Sequence, residues 1–387
     1  VATLIKVKGS GQGGYEFPNG MKWTLGFSTQ DGIWDHLYFH NGIWMAGNSS
    51  DAGIYRSIDG KTWTPCAGTS ASRISALYGA NGMWVAYGDE PWYSTDNGVT
   101  WTVCIGTTYF SKSLCSANGI WVGGGTEGIV YSNDGKSWMA SNVKSGIVTN
   151  IYFANGIFIA SMSKNLLWST DCKTWTSCTI NSSGNTPQGW NKVENHGGIW
   201  VALSSSGGAY YSTDGKSWTR SDFAAGYCYN ILAYGNGTWA FSVNPSMGWN
   251  GVYYSTNGKN WIQSDLNIAC TALHYSNGLW IAATGTSDVY YSYNAKHWVK
   301  CADKTGGALA TICSANGILV AGASLGEIYY SPTWEPTIPA GDYMFSAAPG
   351  SPAFNPTELG NVTLTETINF VSNDETHSTM TAKHIHS

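Results

Sequence analysis

Apolar residues along this chain come in short runs bounded by asparagine and glycine, and the runs recur. One kind follows an Asn-Gly pair or its equivalent: NGIWMAG from Asn41, NGMWVAY from Asn81, NGIWVGG from Asn118, NGIFIAS from Asn155, GGIWVAL from Gly197, NGTWAFS from Asn236, NGLWIAA from Asn277 and NGILVAG from Asn316. Trp44 and Trp280 stand 236 residues and six units apart, a period of about 39 that suits propeller blades and solenoid units. Asn-Gly between apolar runs predicts a two-residue type I′ hairpin turn, because both residues must take positive φ. The runs are apolar at nearly every position, which predicts strands covered on both faces. No segment carries a helical period.

A second kind of run pairs an aromatic with serine and ends in tryptophan: YRSIDGKTW at Trp63, WYSTDNGVTW at Trp101, VYSNDGKSW at Trp138, LWSTDCKTW at Trp175 and YYSTDGKSW at Trp218. Fainter copies end at Trp261, Trp298 and Trp334. Ser and Asp so placed bond to the local backbone while the indole drops back against the sheet. Asp59, Asp96, Asp134, Asp171 and Asp214 recur, so they are expected to form turns; an active site occurs once.

These runs resemble the Asp-box, or BNR repeat, of sialidases and several other propeller families, over Asp31 to Trp334. Only Ser94 to Trp101 has the full Ser-x-Asp-x-Gly-x-Thr-Trp length. The resemblance implies an all-β fold, a β-propeller of four-stranded antiparallel blades. Counting units predicts eight blades, with seven plus one aberrant unit as the alternative. The unit at Ala308 to Ser331 has a degenerate Trp strand, whereas NGMKWT at Asn19 to Thr24 is a Trp strand with nothing before it. Met21 to Gly26 is therefore expected to complete the last blade, closing the ring and removing its open sheet edges. The expected organisation is an N-terminal extension at 1–18, the propeller at 19–334, and a linker with an oligomerisation segment at 335–387.

Composition narrows the partners. A net charge of −5, 11% charged residues and the lack of a basic run leave no electrostatic footprint for nucleic acid. No apolar stretch approaches the ~20 residues of a membrane helix, and VATLIKVKGSGQGG at the start has no secretory signal. Cys66, Cys104, Cys178 and Cys301 each follow a motif Trp by three residues, and Cys115 and Cys313 each precede an Asn-Gly by three. Equivalent positions point to buried small side chains in a reducing compartment, not to bridges or metal ligands.

Antiparallel order puts the Asn-Gly and Ser-x-Asp turns on one face, leaving the other to connections that vary in length and chemistry. A varied face on a rigid scaffold is where binding is expected. Its longest loops are Ser177 to Lys192 and Ser242 to Gly251. Trp34, Trp190 and Trp249 fall outside the recurring tryptophan positions, and Tyr109, Phe110, Phe223 and Tyr227 lie in loops leading into blades 3 and 6. With Asp51, Asp89 and Glu90 they form the candidate carbohydrate site, since aromatic faces stack on sugars while polar groups bond hydroxyls. Of the loop acids Asp51, Asp89, Glu90, Glu127, Asp288 and Glu327, most are expected to be solvated turn residues.

The sialidase resemblance implies three arginines on a substrate carboxylate, one in Arg-Ile-Pro. The arginines here are Arg56, Arg73 and Arg220, and Arg73-Ile74 is followed by Ser75. A hydrolase using two loop carboxylates is the enzymatic alternative, and a protein-interaction propeller is a third reading. The ending His384-Ile385-His386-Ser387 resembles the His-x-His iron sites of trimeric phage tail-fibre tips. Three copies would give six imidazoles to iron or another divalent metal, although glycan binding itself requires no cofactor. The Thr-rich tail likewise resembles trimerising segments of phage tail proteins. The reading overall is a homotrimeric receptor-binding protein of a virion tail, assembled in the bacterial cytoplasm, that recognises a surface polysaccharide without touching nucleic acid or inserting into membrane.

Overall fold

The computed structural model describes residues 3–6, 22–29, 32–50, 53–69, 73–88, 90–106, 111–181, 187–223, 227–244, 250–301, 304–332, 343–346 and 370–371. Backbone contacts divide the chain into a large unit, Met21–Thr333, and a small one made from Val1–Gly20 and Trp334–Ser387. In the small unit Thr3–Lys6 pairs antiparallel with Tyr343–Ser346, which pairs parallel with Phe370–Val371. His384 and His386 lie outside the described residues.

Eight sheets build the large unit. Blade 1 runs outward through Trp34–His40, Ile43–Asn48, Ile54–Ser57 and Thr64–Pro65. Blades 2 to 7 repeat this order, with innermost strands Ile74–Ala80, Ser111–Ala117, Val148–Ala154, Trp190–His196, Tyr227–Gly235 and Cys270–Ser276. Blade 8 contributes Leu309–Ala315, Ile318–Ala323 and Glu327–Pro332, and its outermost strand is Thr24–Ser28. Each innermost strand touches those of both adjacent blades, blade 8 meeting blade 1, so the ring is closed. No described residue is helical.

The closing strand starts three residues later than Met21. Trp23 belongs to the turn, its indole 6% exposed, and the strand begins after it, as Thr64 follows Trp63 in blade 1. Blades 3 and 5 differ, since there the buried Trp138 and Trp218 lie inside the outermost strand.

Both turn chemistries are realised. Asn41 and Gly42 have φ of 51° and 77°, and their counterparts in the other blades match them. In blade 5 the Ser212 hydroxyl donates to Asp214 at 2.9 Å and accepts the Gly215 N–H at 2.9 Å, while Asp214 accepts the N–H groups of Lys216 and Ser217, each at 2.8 Å. Trp218 Nε1 then donates to the Gly215 carbonyl at 2.9 Å. Asn257 and Asn294 replace the acid in blades 6 and 7 and accept the equivalent N–H groups.

The core lies between blades. Every residue of Ile43–Asn48 is buried, as the unbroken apolar pattern required. Burying ~200 Å² of indole there contributes about 5 kcal/mol before conformational entropy is subtracted. Outside this core, turn lysines reach back to an aromatic ring of the preceding blade: Lys216 lies 4.2 Å from the Trp168 ring, and Lys61, Lys136, Lys173, Lys259 and Lys296 repeat the contact at 5.0 to 5.7 Å. Ile105–Gly106 and Thr179–Asn181 cross from blades 2 and 4 to pair parallel with the outermost strands of blades 3 and 5. These bridging strands cover two edges that would otherwise be open.

Candidate functional site

Strand order places the Asn-Gly turns and Ser-x-Asp turns on one face, and Asn41 Nδ2 of blade 1 donates to Asn97 Oδ1 of blade 2 across it at 3.2 Å. On this face Asp59, Asp134, Asp171 and Asp214 are held below the usual carboxylate range, and Asp96 is held at about 2. For Asp96, burial opposes ionisation, but bonds from Thr100 and Ser94 outweigh it. In Asp134, Asp171 and Asp214 the turn bonds all fall on Oδ1, the same use in blade after blade. One pocket of about 370 Å³ opens on this face between blades 8 and 1, beside Ile58, Lys61, Asn316 and Tyr330. Its walls are the recurring turn residues, with the exposed Ile58 standing where most other blades have Thr or Asn.

The opposite face carries the varied connections, and there the aromatic candidates need correction. Trp34 and Trp190 are wholly buried. Each begins an innermost strand: Trp34 packs edge-on to Phe27 and Tyr55 at 6.2 and 5.2 Å, and Trp190 to Tyr210 at 4.9 Å. Phe223 is 5% exposed and packs on Phe241 and Tyr253. These rings are core and offer no face to a sugar. A sequence signal did exist: Trp34 and Trp190 sit seven residues before the glycine turn, the place of Ile74, Val148, Cys270 and Leu309.

Glu90 is exposed in the short connection between the second and third strands of blade 2, where its carbonyl accepts the Gly88 N–H at 3.1 Å. Tyr227 opens the innermost strand of blade 6 opposite Asn244. Asp51, Asp89, Tyr109, Phe110 and Trp249 lie outside the described residues. Two of the loop acids are bound instead of solvated. Asp288 sits 2.9 Å from both Lys300 and Lys304, which hold it at about 2, and Glu327 accepts the Gly307 N–H and the Tyr329 hydroxyl. The arginines do not converge: Arg56 is on the third strand of blade 1, Arg73 donates to the Ser49 carbonyl, and Arg220 on the outermost strand of blade 5 donates to Gly207.

What the structure does gather lies along the axis. Innermost strands keep partial exposure along their length while the strands behind them are buried from their second residue on, so the ring encloses a solvent channel. Near its varied-face mouth Asp35 and His36 approach to 3.5 Å; burial raises the carboxyl and lowers the imidazole, and each partly offsets the shift of the other. Deeper in, Tyr38 and Tyr78 share a hydrogen bond with ring centroids 4.8 Å apart, and Tyr152 donates to the Asn195 carbonyl at 3.4 Å. Burial, with a contribution from Glu194, pushes the Tyr152 phenol up to about 12. Glu194 lies 3.4 Å from both Lys192 and His196, and His196 stacks on Tyr234 at 4.6 Å. Opposite, His274 bonds Ser314 at 2.8 Å, and burial lowers its imidazole to about 4. The channel thus offers neutral donors and acceptors beside one internally paired charge cluster.

Solved structures with this arrangement are numerous in kind. The computationally designed protein Ika8 matches with a TM-score of 0.64 and 14% identity, over 81% of this chain and 100% of its own. Sqt1 of Saccharomyces cerevisiae matches at 0.59 and 11%, over 81% and 99%. YCF48 bound to D1 peptide matches at 0.52 and 14%, over 81% and 96%. The likeness is one of fold. No protein-family profile and no curated protein matches the sequence.

Proposed function

We propose that this propeller is a recognition scaffold that binds a cell-surface glycan, in the manner of a receptor-binding tail protein. The observation that carries the reading is the contrast between the faces. One is fixed by the same turn bonds in blade after blade, while the other, with the channel mouth, carries chemistry that does not repeat. Support also comes from the low charge, the resemblance of the turns to Asp-box repeats and the lack of a converging arginine set. Linked copies would turn weak single sites into firm attachment.

The test is binding of the full chain to a glycan array, followed by competition with the free sugar. Selective binding that free sugar displaces supports the reading; an array blank across all glycans sinks it. A polypeptide partner is the second reading, favoured by an exposed apolar pair. Leu325, 64% exposed at φ 65°, and Ile33, 40% exposed, flank a backbone bond from Gly326 to Gly32 at the seam of blades 8 and 1. A leucine kept in the left-handed region costs about 1 kcal/mol, which a merely structural turn would avoid by using glycine. YCF48, of the same fold, is a propeller with a bound peptide.

A further inference from the structure

One innermost strand carries an acid, Glu194, where its seven counterparts have none. Lys192, Glu194 and His196 alternate along the blade 5 strand, so they project to one side and meet there. At the positions of Lys192 and His196, blades 2, 3, 4, 6, 7 and 8 carry only small or neutral residues, such as Ala, Ser, Thr, Asn, Ile and Gly, and blade 1 carries His36 and His40. By the logic that separates turn-formers from functional groups in a repeat, this strand is the exception that scaffolding does not require. The Glu194 side chain is 15% exposed, and ionised groups so enclosed are costly unless paired. Nothing in the closure of the ring asks for an acid there, because the other seven blades close without one.

The neighbouring wall extends this chemistry. Tyr152 of blade 4 stands beside Glu194, and the bonded pair Tyr38 and Tyr78 continues the row of phenols, while blade 6 presents Ala233 at the level of Glu194. We propose that the channel at the level of Tyr152 and Glu194 is a subsite for a neutral saccharide unit, an inference that rests on the glycan reading. A sugar carries hydroxyls that both donate and accept, and C–H faces that pack on aromatic faces and small apolar side chains. The carboxylate accepts, the lysine donates and the phenols do either. Lys192 and Glu194 cancel in charge, which favours a neutral sugar over an acidic or amino one.

The experiment uses the full chain and the variants Glu194→Gln, Tyr152→Phe and Ala233→Trp, probed with glucose, galactose, N-acetylglucosamine and their oligomers by titration calorimetry and on the array. The expected result is at least tenfold weaker binding for Glu194→Gln and Tyr152→Phe, and none for Ala233→Trp, which fills the channel. Thermal melts confirm that each variant is folded; one that is not is replaced by Lys192→Met, expected to weaken binding likewise. Wild-type affinity in folded variants overturns the channel subsite and leaves the glycan reading standing. Absence of sugar binding by the wild type removes both.

Discussion

Replacing Asp214 tests whether the recurring acids are geometric parts or charges. Asp214 accepts three bonds: one at 2.9 Å from the Ser212 hydroxyl and two at 2.8 Å from the N–H groups of Lys216 and Ser217. Those N–H groups lie at the surface, where water can replace the lost acceptor, so Asp214→Ala should cost about 1 kcal/mol, as removal of a helix cap does. Asp214→Asn should cost less than about 0.5 kcal/mol, since blades 6 and 7 already use asparagine in this turn. Ser212→Ala is different: it strips the buried Gly215 N–H of its acceptor and should cost about 2 kcal/mol. Differential scanning calorimetry at neutral pH would read these as Tm shifts of roughly 2 °C per kcal/mol. Acid adds a second readout. Burial alone would raise the Asp214 pKa, but the Ser217 and Lys216 N–H groups and the Ser212 hydroxyl hold it below its ordinary value. Its stabilisation is therefore complete above the unfolded carboxylate pKa of ~3.9 and is lost as pH falls through the lower folded value. The gap between wild type and Asp214→Ala should shrink in acid, whereas the asparagine variant loses no charge there. If Asp214→Asn proves as damaging as Asp214→Ala, or Ser212→Ala no worse than either, the hydrogen-bond account of the turn is wrong.

Two further outcomes follow from burial. Trp34→Ala and Trp190→Ala should each lower stability by about 3–5 kcal/mol, because both indoles are wholly enclosed; a melting temperature unchanged in either variant would refute their place in the core. Burial also pushes Cys66, Cys104, Cys115 and Cys270 up to about 12, so in the native protein these thiols should react with a disulfide reagent far more slowly than a free thiol, and promptly in denaturant. Rapid stoichiometric labelling of the folded chain would contradict this.

The scaffold was readable because each turn depends on residues within a few positions of one another. Asn41-Gly42 and Ser57-x-Asp59 carry their own geometry, and repetition multiplies the signal. Blade number and closure by the early Trp strand followed from the same count. The site was less legible because innermost strands answer to side chains of other blades. Thr149 bonds the Trp190 carbonyl and Asn150 the Val193 N–H, each across about a unit of sequence. Trp34 and Trp190 looked irregular only because their equivalents, Ile74, Ser111, Val148, Cys270 and Leu309 among them, are not aromatic. The bridging strands 105–106 and 179–181 left no trace in the pattern, since parallel pairing of two or three residues needs no particular side chain.

Blade 8 draws three strands from the far end of the array and its fourth from residues 24–28. During synthesis, then, the strand at 24–28 is made well before its partner in blade 8, which follows only when nearly all the rest of the ring is translated. Seven blades can assemble in order behind the ribosome, yet the final one depends on a meeting between segments about 300 residues apart. Joining the array to its own beginning by this clasp makes completion of the circle depend on one long-range pairing, and a permutation made in that blade would move that pairing elsewhere without altering the finished circle.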